Sequence, residues 1–238
     1  MPRAYQGSFI TKTPITPSGP FQCGAASGVW TIDQMVGWQK AGLWPTAGNS
    51  FVGAIAIFAL GYASGASTTR DKYIFSGCVV SSGAAASAAS LGGSAAGNST
   101  VGIFALGLVS CNSSTTRNKY TYSGCVNATA TASSVGSSYG SAAGNSTIGI
   151  FALGNNSTPR NKYTYSGDTN GTATAASAAS FSGSAAGNST VGIFALGNRT
   201  TTRDKYTYSG DTNGTATAAS AASYYGSAAS NGTTGVNV

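Results

Sequence analysis

A-A-G-N-S-T-I-G-I-F-A-L-G-N-N-S-T-P-R-N-K-Y-T-Y-S-G-D-T-N-G-T, residues 142–172, decides the fold, because the chain keeps returning to it. The phrase I-F-A-L-G recurs around Phe58, Phe104, Phe151 and Phe194, and R-(D/N)-K-Y recurs at Arg70, Arg117, Arg160 and Arg203. Successive arginines are 47, 43 and 43 residues apart, yet Arg70 to Phe104, Arg117 to Phe151 and Arg160 to Phe194 each span 34. All the length variation therefore falls between F-A-L-G and the next arginine. One elastic loop in an otherwise fixed register marks a structural repeat, since insertions survive only where no packed pairing is broken.

Within a unit the pattern reads as short strands. Val101 to Leu106 is apolar on both faces, as a strand between neighbouring sheets must be. Lys119 to Ser123 alternates, with Tyr120 and Tyr122 on one side and Lys119 and Thr121 on the other. Thr172 to Ser180 is poor in bulk and predicts a strand whose small side chains let sheets approach. Gly-Asn-Ser at Gly97, Gly144 and Gly187 supplies the turn into the next apolar strand. Three or four strands per unit of 43–47 residues is the size of one propeller blade.

The ends bear on closure. Ala47 to Gly61 begins the series in mid-unit and Gly226 to Val238 stops at the same point. That offset lets the last segment pair with the first unit, which would remove an exposed sheet edge. The expected fold is all-β: residues 51–238 as four β-repeats closed into a small four-bladed β-propeller, with an open β-solenoid and an intersubunit β-structure as alternatives.

Residues 1–50 read differently. Pro14, Pro17 and Pro20 mark an extended arm, and Trp30, Trp38 and Trp44 follow within a short span. Thr31 and Gln34 have capping-box spacing, Gly42 suits a helix end and Pro45 forbids continuation, which predicts one short helix over Ile32 to Ala41. Such an arm either covers the open side of the first blade or docks its three tryptophans in a partner's groove.

Charged residues make up 7% of the chain, against about 25% in an average soluble domain, so solubility rests on Ser, Thr, Asn and Gly. No secretion signal is visible and Phe51 to Ala63 is too short and Gly-rich to span a bilayer, so the expectation is a soluble protein made in a cytosol, without membrane insertion. Cys23, Cys78, Cys111 and Cys125 match neither a redox pair nor a zinc module, and their disulfide state stays open. Cys78 and Cys125 stand where later units have Asp168 and Asp211, a substitution that suits a turn edge better than a metal ligand. No metal and no cofactor is expected.

Acid–base, nucleophilic or metal catalysis needs titratable groups converging in a pocket. The chain has no His and five acidic residues, all Asp. A pair of carboxylates of glycosidase type finds no consistent place, because the second unit carries Asn118 and Cys125 at the candidate positions. The expectation is a non-enzyme. Eight of the twelve cations come from R-x-K: Arg70, Lys72, Arg117, Lys119, Arg160, Lys162, Arg203 and Lys205. Arrayed on one rim their fields would add and favour an anionic glycan or acidic partner. Paired with Asp71, Asp204 and backbone carbonyls they would be structural. Isolated R-x-K pairs do not point to nucleic acid.

The repeats resemble kelch units, an apolar strand ending in Gly followed by a Tyr-bearing strand, although a single Gly stands at positions 61, 107, 154 and 197 and no Trp follows Trp44. Ala26 to Pro45, with G-V-W-T-I-D-Q and A-G-L-W-P, resembles a short module of tail-fibre and other structural proteins of tailed bacteriophages. The array A-A-G-N-S-T-(V/I)-G-I-F-A-L-G with R-(D/N)-K-Y-T-Y-S is similar to kelch-like arrays of phage virion proteins, including those of cyanobacterial phages. The resemblance implies a virion component: a tail-fibre or adhesin-type protein that docks on other virion proteins through the arm and offers repeat loops to a host-surface glycan, homo-oligomeric like many such parts. The alternative is a non-adhesive capsid decoration or baseplate component.

Overall fold

The computed structural model describes residues 31–41, 55–59, 61–62, 65–74, 79–231 and 233–237. Two compact units are distinguished, residues 1–56 with 72–81 and residues 57–71 with 82–238. In the first, helix α1 (Ile32–Lys40) starts where the capping box sets it. Gln34 Oε1 accepts from the Thr31 N–H at 3.0 Å and Thr31 Oγ1 accepts from the Gln34 N–H at 3.2 Å. Two of the helix's orphan donors are thereby satisfied reciprocally.

The repeats are strands throughout. β1 (Ile55–Ala59), β2 (Arg70–Ile74) and β3 (Val79–Ser82) form a sheet in that order. Next come β4 (Ser90–Leu91), β5 (Ser94–Gly97), β6 (Val101–Ala105), β7 (Leu108–Val109), β8 (Asn112–Ser113), β9 (Arg117–Thr121) and β10 (Val126–Ala130). Of these, β5-β6-β9-β10 is a four-stranded antiparallel blade, while β4-β7-β8 is a small separate sheet. A second blade is β11 (Ser141–Gly144), β12 (Ile148–Ala152), β13 (Arg160–Thr164) and β14 (Thr169–Ala173). A third is β15 (Ser184–Gly187), β16 (Val191–Ala195), β17 (Arg203–Thr207) and β18 (Thr212–Thr215). Last, β19 (Ala228–Ser230) and β20 (Gly235–Asn237) pair with each other.

The register is copied from blade to blade. Gly97 faces Gly102, Gly144 faces Gly149 and Gly187 faces Gly192, while Ala105, Ala152 and Ala195 face Arg117, Arg160 and Arg203. Each G-N-S-T turn between the first two strands is closed by its asparagine: Asn145 Oδ1 accepts from the Thr147 and Ile148 N–H groups at 2.9 and 3.0 Å. The same side chain reaches onward, Asn98 Nδ2 to Ser146 O at 3.0 Å and Asn145 Nδ2 to Ser189 O at 3.1 Å, so the turns form a ladder across blades. These asparagines are spent on local turn chemistry.

The core lies between blades. Ile103 and Ala105 of one blade pack with Phe151, Leu153 and Tyr163 of the next, and Ile150 and Ala152 pack with Phe194, Leu196 and Tyr206. Phe151 and Phe194 are fully enclosed, each contributing about 2–3 kcal/mol of burial. Close approach comes from S-A-A-G: a methyl placed on Gly149 would meet the Ala96 Cβ at 3.0 Å, and one on Gly192 would meet the Ala143 Cβ at 3.1 Å.

One expectation is revised. The stretch Thr172 to Ser180 is not a strand beyond Ala173; S-A-A-G is the strand that lets sheets approach, because its second alanine meets the next blade's glycine. Ring closure between the last segment and the first unit is not among the described pairings, since β19 takes β20 as its partner.

Candidate functional site

The R-x-K residues sit on β2, β9, β13 and β17, where two-residue periodicity sends Arg and Lys to one face and the intervening Asn or Asp to the other, so that at each internal seam the arginine meets the following blade. Arg70, Arg117 and Arg160 are at most 1% exposed. Their guanidinium carbons lie 4.5, 4.6 and 4.6 Å from the ring centroids of Phe104, Phe151 and Phe194, the residues 34 positions on. Arg70 donates to Asn127 Oδ1 at 2.7 Å and Asn118 Oδ1 at 3.0 Å. Arg117 donates to Asn170 Oδ1 at 2.7 Å and Asn161 Oδ1 at 3.2 Å. Arg160 donates to Asn213 Oδ1 at 2.8 Å and Asp204 Oδ2 at 2.7 Å. Each arginine is an inter-blade staple, stacked and bidentate, the use for which a planar guanidinium is suited. Burial lowers all three from the ordinary arginine range, Arg117 to about 10.

The lysines hold the outer part of the same seams. Lys119 Nζ lies 3.0 Å from Asp168 Oδ2 and Lys162 Nζ 2.9 Å from Asp211 Oδ2. Burial alone would raise these two carboxyls, but the backbone N–H of Thr131 or Thr174, the hydroxyl of Tyr163 or Tyr206 and the lysine hold them down at about 2. Lys72 is half-buried on β2, Arg203 is half-buried and Lys205 is exposed. The structure thus places most of the R-x-K cations in seams, with Arg203 and Lys205 at the last full blade. Asp204 lies in β17 with no exposure, and its partner is the arginine of the preceding unit. Trp38 is half-buried on α1, whereas Trp30 and Trp44 lie outside the described residues. Of the cysteines, Cys111 is exposed and Cys125 half-buried, neither of them in a disulfide among the described residues, and Cys23 and Cys78 lie outside the described residues. Among the described residues no group of three His, Cys, Asp or Glu side chains gathers as a metal ligand set, and no helix is long and apolar enough to cross a membrane.

A surface that the sequence did not announce forms where one blade's last strand returns to the next. The doublets Ser138-Tyr139, Phe181-Ser182 and Tyr224-Tyr225 occupy equivalent places before S-A-A, and the second member has φ of +52°, +53° and +63°. A positive φ at a tyrosine is uncommon and strained. It is held by backbone bonds that run from unit to unit: the Tyr139 N–H to Gly92 O at 2.7 Å, Ser182 N–H to Tyr139 O at 2.8 Å and Tyr225 N–H to Ser182 O at 3.1 Å. The side chains follow as an aromatic ladder. Tyr139 and Phe181 have centroids 4.8 Å apart, Phe181 and Tyr224 5.7 Å, and Tyr224 and Tyr225 4.5 Å edge to face. Tyr224 is 42% and Tyr225 66% exposed.

The elastic loops end on this ladder. In the second, third and fourth units the loop is a hairpin with two consecutive positive-φ residues at its tip, Ser110-Cys111, Asn155-Asn156 and Asn198-Arg199, the signature of a type I′ turn. The insertion in the second unit extends that hairpin as β7 and β8. The Arg199 N–H donates to Ser223 O at 3.0 Å and its guanidinium lies 5.5 Å from the Tyr224 centroid. Asn198 Nδ2 reaches Asn156 Oδ1 at 3.2 Å, joining one hairpin tip to the next. The result is one face bearing aromatic rings, phenolic hydroxyls, two carboxamides and a cation. Such a face suits stacking and hydrogen bonding to a polyhydroxylated ligand.

No family model matches the sequence, and no curated protein matches it. The fold is similar to that of TolB from Acinetobacter baumannii, at a TM-score of 0.55 and 12% identity over 87% of this chain and 51% of that one. An auxiliary nutrient binding protein from Bacteroides thetaiotaomicron aligns at 0.46 and 12% identity, over 65% of this chain and 38% of that one. The chain thus spans about half of the TolB chain it resembles. The architecture is β-propeller-like and all-β.

Proposed function

We propose that this protein is an attachment component of a bacteriophage virion, in which the face built from the hairpin tips and the Tyr139–Phe181–Tyr224–Tyr225 ladder binds a host-surface glycan. The observation that carries this reading is the ladder: rings brought together by the positive φ of Tyr139, Ser182 and Tyr225 and a string of inter-unit backbone bonds, with Tyr224 and Tyr225 exposed at its end. Aromatic rings fixed before a ligand arrives bind sugar faces at little cost in side-chain entropy. The second, third and fourth units then act as one platform, each adding a hairpin, so that weak contacts multiply. In this reading the arm with Trp30, Trp38 and Trp44 docks on other virion proteins. The role is binding and not catalysis, supported by Asp168, Asp204 and Asp211 each being engaged by a cation.

The test is retention of the purified protein on immobilised host-cell polysaccharide. Tyr224→Ala and Tyr225→Ala together should reduce retention at least tenfold, about 1.4 kcal/mol, with an unchanged melting temperature. Equal retention by the folded double variant would remove the ladder from the site. Normal adsorption by particles in which all four elastic loops are replaced would favour a non-adhesive virion role.

A further inference from the structure

The ladder face carries one charge. Of the elastic loops, residues 62–69, 108–116, 155–159 and 198–202, only the last holds a charged side chain, Arg199, and the segments 84–93, 131–140, 174–183 and 217–226 that supply the ladder hold none. Arg199 is the second residue of its hairpin tip, the place of Cys111 and Asn156 in the two preceding units. Only here does a tip cation stand beside two exposed rings, since the equivalent doublets Ser138-Tyr139 and Phe181-Ser182 each carry one aromatic residue.

Two backbone bonds strap this tip to the ladder. The Asn198 N–H donates to Phe181 O at 2.9 Å and the Arg199 N–H to Ser223 O at 3.0 Å, which seats the cation at the last rungs. Its guanidinium lies 5.5 Å from the Tyr224 centroid, and Tyr224 meets Tyr225 edge to face at 4.5 Å. In the seams a guanidinium stacked on a ring also finds an oxygen acceptor, as Arg160 over Phe194 finds Asp204. At Arg199 the ring is supplied but the acceptor is not: Asp168, Asp204 and Asp211 are engaged by Lys119, Arg160 and Lys162, and the Arg199 guanidinium makes no hydrogen bond or ion pair among the described residues. Stacking covers a face of the guanidinium and leaves the N–H fork at its edge.

We propose that the glycan taken at this face is acidic, a sugar carboxylate accepting from the Arg199 guanidinium while pyranose rings lie against the exposed Tyr224–Tyr225 pair. The inference rests on the attachment reading and narrows it to polysaccharides containing uronic or other carboxylated sugars. A pyranose offers its C–H groups to an aromatic ring, and a hexuronic acid carries at the rim of the same pyranose a planar acceptor that matches the guanidinium fork. The net charge of +7 draws a polyanion towards the protein. An exposed ion pair is weak by itself, so the rings supply affinity and Arg199 supplies the choice between acidic and neutral chains.

The test compares retention of the full chain on immobilised host-cell polysaccharide with retention on the same material after its carboxylates have been reduced to primary alcohols. The wild-type protein should be held at least about fivefold better by the native material. Arg199→Asn, which copies Asn156 at an equivalent turn position with φ of +52° against +57°, should be held by both materials at the level of wild type on the reduced one. Equal retention of the wild type on both overturns the inference and leaves the attachment reading standing with a neutral glycan. A preference that persists in Arg199→Asn overturns it too, as does a variant weakened equally on both materials, since Arg199 would then only prop the Tyr224 ring. Wild-type protein retained by neither material overturns the attachment reading itself and this inference with it.

Discussion

Replacing Arg160 by methionine should destabilise the protein more than the same change at Arg117, although the two arginines have the same burial and the same stacking. Both are fully enclosed and both lie 4.6 Å from a phenylalanine centroid. What differs is the acceptor. Arg117 faces Asn161 and Asn170, neutral amides that keep other partners, such as the Ser134 N–H at 3.0 Å to Asn161 Oδ1. Arg160 faces Asp204, whose side chain has no exposure at all. Arg117→Met should therefore cost the hydrogen bonds of a charged donor, about 2–3 kcal/mol. Arg160→Met strands a buried carboxylate and should cost about 3–5 kcal/mol.

The two effects separate in a double variant. Arg160→Met with Asp204→Asn removes the stranded charge, and the new carboxamide would still accept from the Ser177 N–H that now lies 2.9 Å from Asp204 Oδ2. The second substitution should recover about 2 kcal/mol and bring the seam to the level of Arg117→Met. For a chain of this size that is a difference of about 4–8 °C in melting temperature, measurable by circular dichroism and by urea titration. Equal losses in Arg117→Met and Arg160→Met within about 0.5 kcal/mol, or no recovery with Asp204→Asn, would show that the stranded carboxylate is not the dominant effect.

Acid should loosen the outer seams: Asp168 and Asp211 are held at about 2 when folded, below the ordinary value of about 3.9, so their contribution is present above about pH 4 and lost as pH falls towards 2. Because both carboxylates are partly solvated the loss is modest, and a melting-temperature series from pH 6 to 2 that is unchanged by Asp168→Asn with Asp211→Asn would refute it. Gly154→Ala and Gly197→Ala should each destabilise by at least about 2 kcal/mol, since φ is +66° and +67° and the new methyl would sit 2.2 Å from Ser138 O and 2.3 Å from Phe181 O. Gly171→Ala, with its nearest contact at 4.0 Å, is the control. Exchanging Leu108–Thr116 for Asn198–Thr202 should leave the melting temperature within about 4 °C while lowering glycan retention, because both hairpins turn on a type I′ pair; a large loss of stability would show that the β4-β7-β8 sheet is structural.

What the sequence disclosed and what it hid follow from the range of each interaction. The capping box at Thr31 and Gln34 and the G-N-S-T turns were legible because donor and acceptor lie within three residues of each other. The strands were legible because their period is local. The aromatic ladder was not, because Leu91, Ser138, Phe181 and Tyr224 look like ordinary drift at one repeat position. Only the positive φ of the neighbouring residue and the unit-to-unit backbone bonds bring those rings together.

The arginines are the most instructive case, since their signal was visible in the sequence and left a solvated rim and structural pairing both open. R-x-K alone does not distinguish a solvated cation from a stapling one, as the partners are 44 to 57 residues away. The invariant 34-residue distance from Arg to Phe carried the answer. An insertion between F-A-L-G and the next arginine lengthens only a hairpin at the end of a blade, as β7 and β8 show. Any change between an arginine and the next phenylalanine would have to pass through two outer strands, an inner strand and the seam itself. The spacing is therefore constant because its two ends touch, and the cation is buried because the ring it touches belongs to the next blade's core.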